Sequence, residues 1–146
     1  MKSTMGIAAK RALIDALTAQ AGPAQPLDGV TVSYDYPPNP PRKVIYLGGF
    51  RSVVTPLSAE ENLVASEQVT IGLYVKVLRP DGDVRATDVD VEAIADAISA
   101  VMEANPDMGG NLTWMGVQST NGDYAKTPDG PESVLSMQVL VGAVLT

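Results

Sequence analysis

The sequence predicts an α+β fold, a mostly antiparallel sheet with two helices packed on one face, built as one domain spanning residues 1–146. Three observations carry that prediction. Every odd position from Val69 to Val77 is apolar while Gln68, Thr70, Gly72 and Lys76 fall between them, the period of a strand buried on one face. Pro80-Asp81-Gly82-Asp83 breaks the alternation with turn residues, and from Thr87 to Asn105 the period becomes helical, with Val91, Ile94, Ile98 and Val101 on one stripe. A strand and a helix that each show one apolar side must cover one another or share a third layer.

The other elements follow in chain order. Ile7 to Gln20 places Ile7, Leu13, Ile14 and Leu17 near one side, with Ser3 or Thr4 as its cap, and Gly22-Pro23 lies where a helix must stop. Val30 to Tyr36 alternates and predicts a short strand, ended by Pro37-Pro38-Asn39-Pro40-Pro41, a stiff loop with four positions unable to donate a backbone hydrogen bond. Lys43 to Leu47 predicts a compact strand closed by a Gly48-Gly49 turn. Arg51 to Thr55 reads as a strand or one side of an excursion, and Pro56 to Asn62 as a loop or a single helical turn. The helix from Thr87 has a hydroxyl cap followed three residues later by Asp90, with Asp88, Asp90 and Glu92 at the positive end of its dipole. Asn105-Pro106 and Gly109-Gly110 end it, and Leu112 to Gln118 is the next strand. Ser119 to Pro131 reads as a polar loop rich in Asn-Gly and Asp-Gly turns. Ser133 to Leu145 begins half exposed and then becomes apolar on both sides, so it is expected beside the 69–77 strand at the centre of the sheet, buried on both faces at its end.

Composition bounds the chemistry. A chain of 146 residues buries about 68–70% of its unfolded surface and needs no covalent staples, in agreement with zero cysteines. Without cysteine or histidine, thiolate metal sites, cysteine nucleophiles and the usual neutral-pH general base are excluded. No Walker loop, dinucleotide fingerprint or nucleophile elbow is present. Asp81, Asp83, Asp88 and Asp90 resemble a calcium-loop fragment, but the glycine and closing glutamate are not at EF-hand spacing. Neither a metal nor a cofactor is therefore expected, no catalytic residue is assigned, and the chain is not expected to be an enzyme. Net charge is −7 and unevenly spread: residues 1–66 carry six Lys/Arg against five acids, residues 67–146 four against twelve. An acidic half argues against a basic nucleic-acid footprint. No apolar run approaches the roughly 20 residues that span a bilayer, so no membrane partner is expected.

What remains is a surface for other proteins. Tyr34, Tyr36 and Tyr46 with Arg42, Lys43 and Arg51 flank segments that the core does not require, and tyrosine and arginine are enriched where proteins meet. Trp114, the lone tryptophan, reads as core or a strand-face anchor.

The succession of these elements resembles the tail terminator and tail-completion proteins of long-tailed bacteriophages. The residues that carry the likeness are the first helix, Val30-Thr31-Val32-Ser33-Tyr34 with its proline bend, and Val44-Ile45-Tyr46-Leu47-Gly48. They continue with the strand Glu67 to Val77, the acidic helix to Met102, Met108-Gly109-Gly110-Asn111-Leu112 and the long last strand, nearly the whole chain. Segments 37–41 and 119–131 have no counterpart in that pattern. The resemblance implies a ring, usually a hexamer, that caps the tail tube, stops its growth and presents a surface to the head. Its partners would be copies of itself, the tail tube protein and the head-tail connector protein, with DNA passing through without specific binding. The expected location is the virion, after assembly in the host cytoplasm. Candidate contacts are then Tyr36, Arg42, Lys43, Tyr46, Arg51, Glu60, Glu61, Tyr124 and Lys126, and candidate lumen charges are Asp81, Asp83, Asp88 and Asp90. A head-tail connector, neck or tail-tube subunit shares the expectation with a different neighbour. A small-molecule-binding or carboxylate-dependent enzymatic domain is the alternative of another class.

Overall fold

The alternation over the middle of the chain forms the strand on which the sheet is built. The computed structural model describes residues 3–57, 64–108 and 112–146. Its elements are α1 (Gly6–Thr18), β1 (Thr31–Ser33), β2 (Lys43–Pro56), β3 (Ala65–Leu78), α2 (Val84–Ala104), β4 (Trp114–Thr127) and β5 (Gly130–Leu145). One five-stranded sheet has the order β1-β2-β3-β5-β4. β3 pairs antiparallel with β5 over the whole length of β3, from Ala65 opposite Leu145 to Leu78 opposite Glu132, so the two apolar strands do lie side by side. β2 and β4 flank them antiparallel, and only the short β1 runs parallel to its neighbour.

The odd residues of β3 from Val69 to Val77 are buried, and they join one core with Met137, Val139 and Val141 of β5. Ala9, Leu13, Ile14 and Leu17 of α1 and Val91, Ile94, Ile98, Val101 and Met102 of α2 belong to the same core. Full burial of each such aliphatic side chain contributes about 1.5–3 kcal/mol. Leu27, in the turns after α1, is also fully buried, held by its N–H to the Gln20 carbonyl at 2.8 Å.

Several sequence expectations are corrected. Ile7 is half exposed, because the buried line of α1 runs Gly6, Ala9, Leu13, Leu17 at steps of three and four residues. The strand expected over Val30 to Tyr36 shortens to Thr31–Ser33, since it has only three partners on β2 before the proline segment carries the chain back. Gly48-Gly49 does not close a strand: β2 continues through a bulge between Leu47 and Phe50, and the extra residue shifts which side chains face the core, from Ile45 and Leu47 to Phe50 and Ser52. α2 starts at Val84 rather than Thr87, because the Asp83 carboxylate accepts the Ala86 N–H at 2.8 Å and caps it. Thr87 is instead buried, its hydroxyl 2.7 Å from the Val84 carbonyl and 2.6 Å from Ser133 Oγ.

The largest correction concerns 119–131. It is not a loop: β4 and β5 make a long hairpin in which only Pro128-Asp129 turn, and Asn121-Gly122 sits within β4 opposite Ser136 and Leu135. The turn ends on Gly130, whose φ of 123° and close approach to Pro80 exclude a side chain. The end of β5 is not buried on both faces either. Val144 is 49% exposed, because the even residues of β5 lie on a side of the sheet that has no third layer at that end. Gly109-Gly110 and most of the stretch expected as loop between Pro56 and Asn62 fall outside the described residues.

Candidate protein interface

The side of the sheet carrying the even residues of β3 bears an aromatic patch. Tyr36 meets Tyr46 edge to face at 4.9 Å between ring centroids, and Tyr46 stacks on Tyr74 at 5.1 Å. Such pairs are favoured by the ring quadrupole and add about 0.5–1.5 kcal/mol beyond buried area. Gly48 makes room for this stack, since a Cβ there would stand 2.9 Å from Tyr74 Cε2. Lys76 donates to the Tyr36 hydroxyl at 2.8 Å, lies 5.2 Å over the Tyr36 ring and pairs with Glu132 at 3.4 Å. Burial raises the Tyr46 hydroxyl above its ordinary pKa, with Tyr36 adding to the effect and Lys76 opposing it. For Lys76, burial alone lowers the ammonium pKa, but the bond to Tyr36 and the charge of Glu132 outweigh it, so the net shift is upward. On the same side Trp114 lies across Gly142, where any Cβ would overlap the indole Nε1. It is thus a strand-face anchor, partly exposed. Tyr34, beside the patch in sequence, has Lys10 4.5 Å over its ring.

The remaining candidates fall into separate groups. Asp90 pairs with Arg79 at 3.6 Å and approaches Lys43 at 4.0 Å, tying the start of α2 to the strand ends beside it. Asp83 is the cap of α2, and Asp88 accepts from Ser133 Oγ at 2.6 Å. Three of the four candidate lumen charges thus have partners within the fold, while Asp81 is exposed in the preceding turn. Arg42 is exposed at the start of β2, and Arg51 is exposed on the far half of β2 opposite Thr70. Tyr124 is 60% exposed and Lys126 exposed, both on β4. Glu60 and Glu61 lie outside the described residues. Of the named residues that are described, then, the fold brings Tyr36 and Tyr46 into one patch, gathers Arg42, Lys43, Asp81 and Asp90 around one cleft beside Arg79, and places Arg51 on the far half of β2 and Tyr124 and Lys126 on β4.

Tyr124 also belongs to an open groove of about 540 Å³ between α2 and β4, floored by Val91, Val117 and Leu135 with Glu92 and Asp96 on its helix side. It exists because β4 is the outermost strand and α2 covers its inner side only in part. Among the described residues no group of three acidic side chains gathers closely enough to hold a metal ion, and no helix is long and apolar enough to cross a membrane.

Three residues of consequence went unmarked in the sequence. Tyr74 and Lys76 complete the aromatic patch; the signal was their place on the polar side of β3, two residues apart and thus on one face. The third is Glu67, only 1% exposed. Its carboxylate accepts from the Thr4 hydroxyl at 2.5 Å, from the Met5 N–H at 2.6 Å and from the Ser52 hydroxyl. Thr4 Oγ1 in turn accepts the Gly6 N–H at 2.9 Å, so one buried acid fixes the entry to α1 and the far half of β2 together. An acid at an odd position of an otherwise apolar series was the available signal.

Compared with known proteins, the chain matches no family model and no curated protein. Among solved structures it is similar to a chain of the virion of a native gene transfer agent particle, at 15% identity and a TM-score of 0.60, over 97% of this chain and 100% of that one. At that identity the likeness establishes the fold.

Proposed function

We propose that this chain is a virion structural protein, specifically a tail terminator: a ring of copies, six in number, that caps the tail tube, stops its polymerisation and offers a surface to the head connector. The observation that carries this reading is the end-to-end likeness in fold to a chain of a gene transfer agent virion, with no residue of either chain's architecture left over beyond a few per cent. The surfaces support it: a tyrosine patch, an exposed tryptophan on the same side and an open groove beside an outer strand are features of a protein that works by docking. In this reading residues 1–146 are one domain with both helices on the side of the odd β3 residues. The opposite side, with Tyr36, Tyr46, Tyr74 and Trp114, is left for neighbours. The partners are further copies, the tail tube protein and the connector; no reaction is performed, and assembly takes place in the host cytoplasm. Six copies at −7 each make an acidic ring through which DNA passes without adhering. Asp81, which has no structural task among the described residues, is the best of the four lumen candidates.

Deletion of the gene followed by electron microscopy of the particles tests the proposal. Tails of uncontrolled length are expected. Tails of normal length that lack heads would instead assign the chain to the head-tail joint, and normal, infectious particles would overturn a virion role.

A further inference from the structure

The sheet ends in two long edges. Among the described residues, β4 has no neighbour on its outer side, and β1 covers β2 only at Val44, Ile45 and Tyr46, leaving Phe50 to Pro56 open. A row of unsatisfied backbone donors and acceptors is a template for another strand, and proteins that work alone blunt such edges with charge, proline or cover. Here the blunting is slight: Asp123 and Lys126 are the charges of β4, and Arg51 is the charge of the open part of β2 before Pro56. Both edges also carry exposed apolar side chains. Of eleven large hydrophobic residues exposed among those described, six lie on or next to these edges: Val53, Val54 and Leu57 at one, Trp114, Val117 and Tyr124 at the other.

The two ends of the sheet differ in charge. Residues 1–56, which build α1, β1 and β2, hold six Lys/Arg and three acids, a net of +3, whereas Asp88, Glu92, Asp96 and Glu103 of α2 line the grooves beside β4, which itself carries Asp123 against Lys126. Pairing β4 with β4 of another copy would set one acidic flank against another, whereas pairing β4 with the open half of β2 sets it against the basic end of the sheet. We infer that the two edges are the two halves of one head-to-tail contact: β4 of one copy lies along Phe50–Pro56 of the next copy's β2, extending the sheet from molecule to molecule. A heterologous contact of this kind closes into a ring or grows without end. The inference deepens the ring reading above and rests on it for closure; the strand contact itself is a property of the chain.

The chain has no cysteine, so introduced thiols are the sole ones present. Val53→Cys and Asn121→Cys place one thiol on each edge, both on the exposed side of the sheet. Each single variant, their mixture and the double variant are treated with a short bis-maleimide, as concentrated purified protein and within assembled particles. The mixture should give a dimer, the singles none, and the double variant a ladder that stops at the ring number in particles. High salt should weaken the cross-link in the purified sample. Dimers from a single variant, or no cross-link of the mixture in either sample, overturn the edge contact. A protein missing from the particles but cross-linked in the purified sample would instead sink the virion reading and leave the contact standing.

Discussion

Glu67→Ala removes the acceptor for three donors at once, and its cost can be worked from the geometry. The Thr4 hydroxyl and the Met5 N–H are on a segment that can turn to water, so each forfeits about 1 kcal/mol of net hydrogen-bond stabilisation. Ser52 is on a strand and is held between β3 and the core, so its hydroxyl adds a further cost of about 1 kcal/mol. The sum is about 3 kcal/mol, which for a chain of this length lowers the melting temperature by about 9 °C at roughly 3 °C per kcal/mol. Glu67→Gln keeps the shape but turns an amide N–H₂ toward one of the donors, and about half that loss is expected. Thermal unfolding by circular dichroism reads both, and amide hydrogen exchange at Ala8 and Ala9 should accelerate, because the entry to α1 hangs on Met5 and Gly6. A melting temperature that falls by less than about 2 °C in Glu67→Ala would refute the view that this carboxylate joins α1 to the sheet.

Three further outcomes follow from the same structure. Asp83→Ala strips the cap from α2 and should cost about 1 kcal/mol, seen as a lower denaturant midpoint, whereas Thr87→Val should behave as a core substitution and not as a lost cap. Folded-state pKa values above the ordinary 10.5 of Lys76 and 10.0 of Tyr46 mean that the native state holds their protons more tightly. Their stabilisation is therefore complete below about pH 10 and fades as pH rises through the raised values. Tyr36→Phe should flatten that alkaline decline in a pH series of melting temperatures. Gly142→Ala should lift Trp114 from the sheet, and since Trp114 is the lone tryptophan, an unchanged emission maximum would count against the overlap.

Legibility in the sequence depended on how many neighbours a segment has. β3 and the stripe of α2 were readable because each is buried on one side along its whole length, so the period is uninterrupted. Among the described residues β4 has a strand partner on one side only; a bulge between Val117 and Ser119 resets its period, and its polar composition then reads as loop. The β2 bulge hides that strand in the same way. The aromatic patch was half visible: Tyr36 and Tyr46 stand out, but Tyr74 joins them only through the register, which sets it opposite Tyr46. Glu67 could not be assigned from local sequence because its partners are 15 and 63 residues away.

The ladders place residues far apart in sequence at one end of the molecule. Leu145 stands opposite Ala65 and Thr4 is bonded to Glu67, so the beginning and close of the described chain leave the sheet beside one another, while the Pro128-Asp129 turn lies at the far end. A short peptide joining residue 146 to residue 3, with the backbone opened between Pro128 and Asp129, would give a circular permutant that retains all four ladders. A group attached beside Thr4 or beside Leu145 would emerge from the same pole, leaving the hairpin pole unobstructed.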